Sequence, residues 1–312
     1  MLFECFLESG LPKQAAAFLP GIGEKIGKYL AEHPSIETIV FTGSKDVGLG
    51  LIEQCSKYRV GSKHIKKVIA EMGGKNFMIV DEDADLDEAV KGVVKAAFGF
   101  QGQKCSACSV VLTVGKSRFI ERLKEAVKSL HISPASNPNS DIGPVIDQEA
   151  FLRIKETIQK AKKDCTVLSE ASPSDASKEN NGYFIKPIVF TEVDYNSKLF
   201  KEEVFGPVLI CNNVETLEQA IEIANKSKYG LTAGIFSRSP KNIEYTCQNL
   251  EVGNLYINRS CTGAMVKRHP FGGSKLSGIG NKAGGTSYLS QFVVSKSISE
   301  NTIRRGFAPE SE

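Results

Sequence analysis

Apolar and polar positions along the chain fall into two alternating patterns. Short runs rich in β-branched residues, at 36–41 (IETIVF), 76–80 (NFMIV), 109–114 (SVVLTV), 188–190 (IVF), 233–236 (AGIF) and 254–258 (NLYIN), read as strands. Between them, apolar residues recur at three- and four-residue spacing over 24–31, 86–97, 117–129, 151–162 and 217–225, which predicts amphipathic helices. Strands alternating with helices predict α/β layers around a largely parallel sheet. The polar stretches 169–182 and 133–144 predict an exposed loop and a long surface connection, and 306–312 a frayed tail. The first twenty residues read as the end of a helix, a turn and a strand, so more sheet is expected before them.

With 312 residues, 41% apolar and 24% charged, the composition is that of an ordinary globular protein with a sizeable core, about two domains by length. A net charge of +3, with both signs interspersed, makes no case for nucleic acid. No apolar run approaches the ~18 residues that would span a membrane. The N-terminus lacks the basic region of a secretory signal. Eight cysteines at this length are too sparse for a disulfide scaffold, so reduced thiols in a cytoplasmic compartment are expected.

The segment 99–109, GFQGQKCSACS, places Cys105 and Cys108 in a C-x-x-C. A zinc site needs two further ligands, but the other cysteines are isolated and the four histidines form no pair, so no metal is expected. A redox pair should open a helix after a strand, whereas a helical pattern precedes this one. A single nucleophile would need an activating environment, because a free thiol is mostly protonated at neutral pH. Burial as a small apolar residue is the bland alternative, and the local pattern leaves it open.

Three other stretches invite the same two-sided reading. FTGSKDVG (41–48) sits between a predicted strand and a predicted helix, and Gly43 and Gly48 frame a turn whose N–H groups could seat a phosphate or serve geometry alone. EMGGKN (71–76) puts Glu71 at a strand end before two glycines. KEEVFGPV (201–208) carries Glu203 and Phe205, and acids favoured by a helix start would also explain it.

In the order FTGSKDVG, EMGGKN, FQGQKCSA, EEVFGPV, GNLYIN and HPFGGSKLSG, these motifs resemble the aldehyde dehydrogenase superfamily over nearly the whole chain. The resemblance implies an α/β fold: the C-terminal part of that family's fold, with a partial Rossmann-like NAD domain at 1–71, a catalytic domain at 72–290, and an oligomerisation strand and tail at 291–312. It implies that Cys105 is the nucleophile, that Cys108 packs, and that Glu71, 105 − 71 = 34 positions upstream, is the general base. NAD is the implied cofactor, with Gly43, Ser44 and Gly48 at its pyrophosphate and Glu203 and Phe205 at its nicotinamide ribose. The stretch 253–285 resembles the branch that oxidises glutamate γ-semialdehyde to glutamate in proline breakdown. That places the small-molecule aldehyde against Ser106, Gly263, Ala264 and Phe271. Another semialdehyde is the alternative within the family. The family's N-terminal half has no counterpart here, including an oxyanion Asn and an adenosine-ribose Lys, and Val110 stands where the family usually has Arg. The expectation is therefore either an active enzyme completed by a separately encoded N-terminal half, or a truncated, inactive remnant; the oligomerisation strand implies a homo-oligomer.

Overall fold

A computed structural model describes residues 1–116, 118–172 and 182–302. The chain opens with helices α1 (Leu2–Glu8) and α2 (Gly23–Glu32), then β1 (Thr38–Thr42), α3 (Lys45–Ser56) and β2 (Lys67–Glu71). Next come β3 (Asn76–Val80), α4 (Leu86–Phe98), β4 (Cys108–Val114), α5 (Phe119–Lys128), α6 (Gln148–Asp164), β5 (Thr166–Glu170) and β6 (Ile188–Thr191). The remainder is α7 (Lys198–Lys201), β7 (Val208–Val214), α8 (Leu217–Asn225), β8 (Tyr229–Gly230), β9 (Thr232–Phe236), α9 (Pro240–Asn249), β10 (Asn254–Ile257), β11 (Ser274–Lys275) and β12 (Gly278–Ile279).

Seven strands form one sheet in the order β10-β9-β3-β4-β7-β6-β5, all pairs parallel except β5 with β6. Its centre explains the uninterrupted apolar run at 77–80. Phe77 and Ile79 face a core built with α6 and α8, while Met78 and Val80 face a second core under α4 and α5. A strand covered on both faces has no polar side to alternate with. Full burial of a side chain such as Ile79 or Leu112 contributes about 1.5–3 kcal/mol.

A separate three-stranded sheet, β1-β2-β12, has β1 parallel and β12 antiparallel to β2. The two sheets meet at residues 72–75, between the C-terminal end of β2 and the N-terminal end of β3.

The structure departs from the sequence reading in several places. Residues 11–20 form turns and irregular backbone, with no strand, and Phe18 and Leu19 are exposed with no neighbouring strand to pair with. The apolar tail likewise forms no strand over 293–302, where Val293, Val294 and Ile298 face outward. Ser169 and Glu170 belong to β5, while 173–181 of the expected loop, position 117 of the expected helix and the tail 306–312 lie outside the described residues. The acids at 202–203 do not open a helix: they follow the end of α7, the single turn capped by Ser197.

Candidate active site

Residues 71–76 form a strap that carries or holds each group of the site. Its position is fixed by three hydrogen bonds: the Gly43 N–H donates to the Glu71 carbonyl (3.1 Å), the Met72 N–H to the Ser277 carbonyl (2.8 Å), and the buried Ser277 hydroxyl to the Gly73 carbonyl (2.8 Å). Glu71, the last residue of β2, is half-buried. Gly74 N–H donates to Oε1 of Glu203 at 3.0 Å. A Cβ at Gly73 would lie 2.0 Å from Oε2 of the same carboxylate, so the double glycine makes the space that Glu203 fills. Lys75 is buried and donates to the carbonyls of Leu199 (2.7 Å) and Glu202 (3.0 Å). Asn76 donates to the carbonyls of Cys105 (2.7 Å) and Ala107 (2.8 Å) and accepts from the Thr232 N–H (3.1 Å).

The turn that carries Cys105 is built between α4 and β4. Phe100, Gln101 and Gly102 all adopt left-handed backbone, with φ of 58°, 57° and 66°. At Gly102 the reason is tight: a Cβ there would stand 2.2 Å from the Gly206 carbonyl oxygen. This contact joins the turn to the segment carrying Glu203. Cys105 follows, half-buried, and Lys104 lays its ammonium over the Phe100 ring at 5.9 Å. Cys108 is turned into the core, its thiol donating to the Val110 carbonyl (3.5 Å). The two thiols of the C-x-x-C thus have separate environments, and both are free. Val110 is itself fully buried, opposite Phe77 on β3.

Burial pushes the Cys105 thiol up to about 11, helped by the Glu71 and Glu203 carboxylates and opposed by the backbone N–H groups of Ser106 and Cys105. Both acids therefore act on this one sulfur. Glu71 is itself raised by burial. Glu203 is also raised by burial, against the Gly74 N–H and the cations Lys75, Arg153 and Lys45. Burial takes Lys75 down to about 8, with Glu203 opposing. Glu202 behaves differently: Lys228 (2.8 Å) and Lys45 (3.2 Å) clamp it, and these partners hold it below the usual carboxylate range despite partial burial.

The other expected residues take distinct places. Ser44 caps α3, its hydroxyl accepting from the Val47 N–H at 3.4 Å. Gly48, a buried residue of the first turn of α3, packs on Met72, whose Sδ would lie 2.5 Å from an added Cβ, so this glycine lets α3 approach the strap. Phe205 has φ of 53° and is 39% exposed. Ser106 is buried, its carbonyl accepting from Thr232 Oγ1 and Cys261 Sγ, both at 3.4 Å. The Cys261 contact brings the 260–264 segment beside the turn that carries Cys105; Gly263 there has φ of 82° and open space around it. Phe271, backbone-paired to Ala283, lines a cleft of about 40 Å³ with Glu71 and Phe41. Among the described residues no cluster of three or more His, Cys, Asp or Glu could hold a metal, and no helix is long and apolar enough to cross a membrane.

Sequence reasoning missed Lys75, Asn76, Ser277 and the Glu202 clamp. A charged and an amide residue immediately before the run FMIV, at the mouth of a doubly buried strand, was the available signal for the first two.

The model of the aldehyde dehydrogenase family matches residues 1–298, and the chain belongs to that family. It is 43% identical over 299 residues to 1-pyrroline-5-carboxylate dehydrogenase 2 of Bacillus subtilis, covering 95% of this chain and 57% of the relative. A crystal structure of proline utilization A from Bdellovibrio bacteriovorus is similar at a TM-score of 0.93 and 49% identity, over 99% of this chain and 32% of that one. The 1-pyrroline-5-carboxylate dehydrogenase from Thermus with bound NAD is similar at a TM-score of 0.88 and 42% identity, over 93% and 56%. The chain thus spans a little over half the length of the curated relatives it matches.

Proposed function

We propose that this chain carries the thiol and carboxylate machinery for NAD-dependent oxidation of glutamate γ-semialdehyde to glutamate. The observation that carries this reading is the strap 71–76, which bears Glu71, binds Glu203 through the Gly74 N–H and binds the Cys105 carbonyl through Asn76, with the charges of both acids acting on the Cys105 thiol. The relatives named for 1-pyrroline-5-carboxylate support the substrate class.

The Cys105 thiol is held protonated by burial and by the two carboxylates, and the thiolate that adds to the aldehyde forms by loss of that proton to solvent. The sulfur then adds to the aldehyde carbon, and the backbone N–H groups of Cys105 and Ser106, which already favour the thiolate, would donate to the charge that develops there. After hydride loss the acyl group remains on Cys105 as a thioester. Glu71 takes a proton from the water that hydrolyses it, and its burial makes it a stronger base than an exposed acid.

The residues present fit a dinucleotide: Glu203 is a half-buried carboxylate fixed by the Gly74 N–H, and Gly43 and Ser44 lead into the twelve-residue α3, which contains Gly48 in its first turn. When bound, NAD supplies the hydride acceptor. Glu203 and Phe205 would hold its ribose, and Gly43, Ser44 and Gly48 its pyrophosphate. Ser106, Gly263, Ala264 and Phe271 would hold the aldehyde, with the ring on its aliphatic stem. In this reading residues 1–71 belong to the cofactor part and 72–290 to the catalytic part.

The test is NADH formation by the purified chain, alone and with a polypeptide supplying the rest of the relatives' length. The expected result is turnover that needs Cys105 and favours glutamate γ-semialdehyde over succinate semialdehyde. A rate unchanged by Cys105→Ala rejects the nucleophile, and a preference for succinate semialdehyde rejects the substrate.

A further inference from the structure

We propose that Asn76 is a positioning residue for the nucleophile, acting through the backbone of the turn that carries it; this rests on Cys105 being the reactive thiol. Asn76 is 1% exposed, and its amide group is engaged on both ends. The two donated bonds grip the carbonyls of Cys105 (2.7 Å) and Ala107 (2.8 Å), one on each side of Ser106. The acceptor oxygen is held by the Thr232 N–H at 3.1 Å, so the amide bridges β9 to the turn. The peptide whose Cys105 carbonyl is drawn toward Asn76 carries the Ser106 N–H on its opposite side, away from Asn76, and that N–H is one of the two that favour the thiolate.

The approach is close. A Cβ at Gly74 would lie 2.5 Å from the Asn76 oxygen and 2.8 Å from the Cys105 carbonyl, which is why a glycine precedes Lys75 in the strap. One short segment therefore supplies Glu71, secures Glu203 through Gly74, and secures Cys105 through Asn76. Displacement of reacting groups by about 1 Å can cost on the order of 10²-fold in rate.

The experiment is acylation of the full chain by p-nitrophenyl acetate, an ester that needs no cofactor, followed as the burst of p-nitrophenolate. Asn76→Ala is expected to lower the acylation rate constant about 10²-fold with KM nearly unchanged. Asn76→Asp, which keeps the acceptor for Thr232 but removes both donors, is expected to do the same and serves if the alanine variant fails to fold. Val111→Ala, a fully buried β4 position outside the site, supplies a comparator with a similar loss of Tm and an unchanged rate constant. A Cys105-dependent burst that persists at full rate in Asn76→Ala or Asn76→Asp overturns the proposal alone, as does an equal slowing in Val111→Ala. A wild-type chain with no burst, or with a burst that survives Cys105→Ala, overturns the nucleophile assignment and the proposal with it.

Discussion

The charge on Glu71 can be removed without changing the shape of the cleft. The Cys105 thiol is pushed up to about 11 by burial first and by the Glu71 and Glu203 carboxylates second. At pH 8 such a thiol is ionised in about one molecule in a thousand. In Glu71→Gln the burial cost stays and one opposing charge goes. A carboxylate facing a thiolate across a partly dry cleft opposes it by on the order of 1 kcal/mol, or about five- to tenfold in thiolate population. The assay is the rate of iodoacetamide alkylation at pH 8, read by peptide mass mapping, with exposed Cys5 and Cys247 as internal standards. Cys105 should alkylate about five- to tenfold faster in the variant, while the standards do not change. An unchanged or slower rate at Cys105 would refute the claim that the acid and the sulfur share one cleft.

Other perturbations test the supporting structure. Gly102→Ala, at φ of 66° and 2.2 Å from the Gly206 carbonyl, should cost about 2 kcal/mol or more in a urea titration. Because the folded-state thiol of Cys105 is raised, its contribution to stability is present below its unfolded value near 9 and is lost as pH climbs through about 11. Cys105→Ala should therefore lose less stability than wild type between pH 9 and 11, measured as Tm against pH. Ser44→Ala should lower stability by about 1 kcal/mol through loss of the α3 cap, again by denaturant titration.

Much of the architecture was legible in the sequence because it depends on local pattern. The run at 76–80 and the periodic stretch at 86–97 appear as β3 and α4 within a residue. β7 was hidden because VLICNNV ends its apolar run in two asparagines. Their amides are satisfied by distant partners, Asn212 by the backbone of Val193 and Asn213 by Thr113 and Gly115. The strand expected in residues 11–20 failed for the opposite reason: apolar residues alone do not make a strand without a neighbour to receive its hydrogen bonds. At the candidate site, the ordered motifs pointed to Cys105, Glu71 and Glu203, which the strap 71–76 links. What holds them was not legible, because the Gly102–Gly206 contact and the Asn76, Lys75 and Ser277 hydrogen bonds link positions from 29 to 204 residues apart.

The most direct test is the identity and lifetime of the acylated residue. The chain is mixed with p-nitrophenyl acetate, quenched in acid and mapped by mass spectrometry. The acetyl group should lie on Cys105, turning over in wild type and persisting in Glu71→Gln. An adduct on any other of the eight cysteines, or one lost as fast from Glu71→Gln as from wild type, would contradict the account.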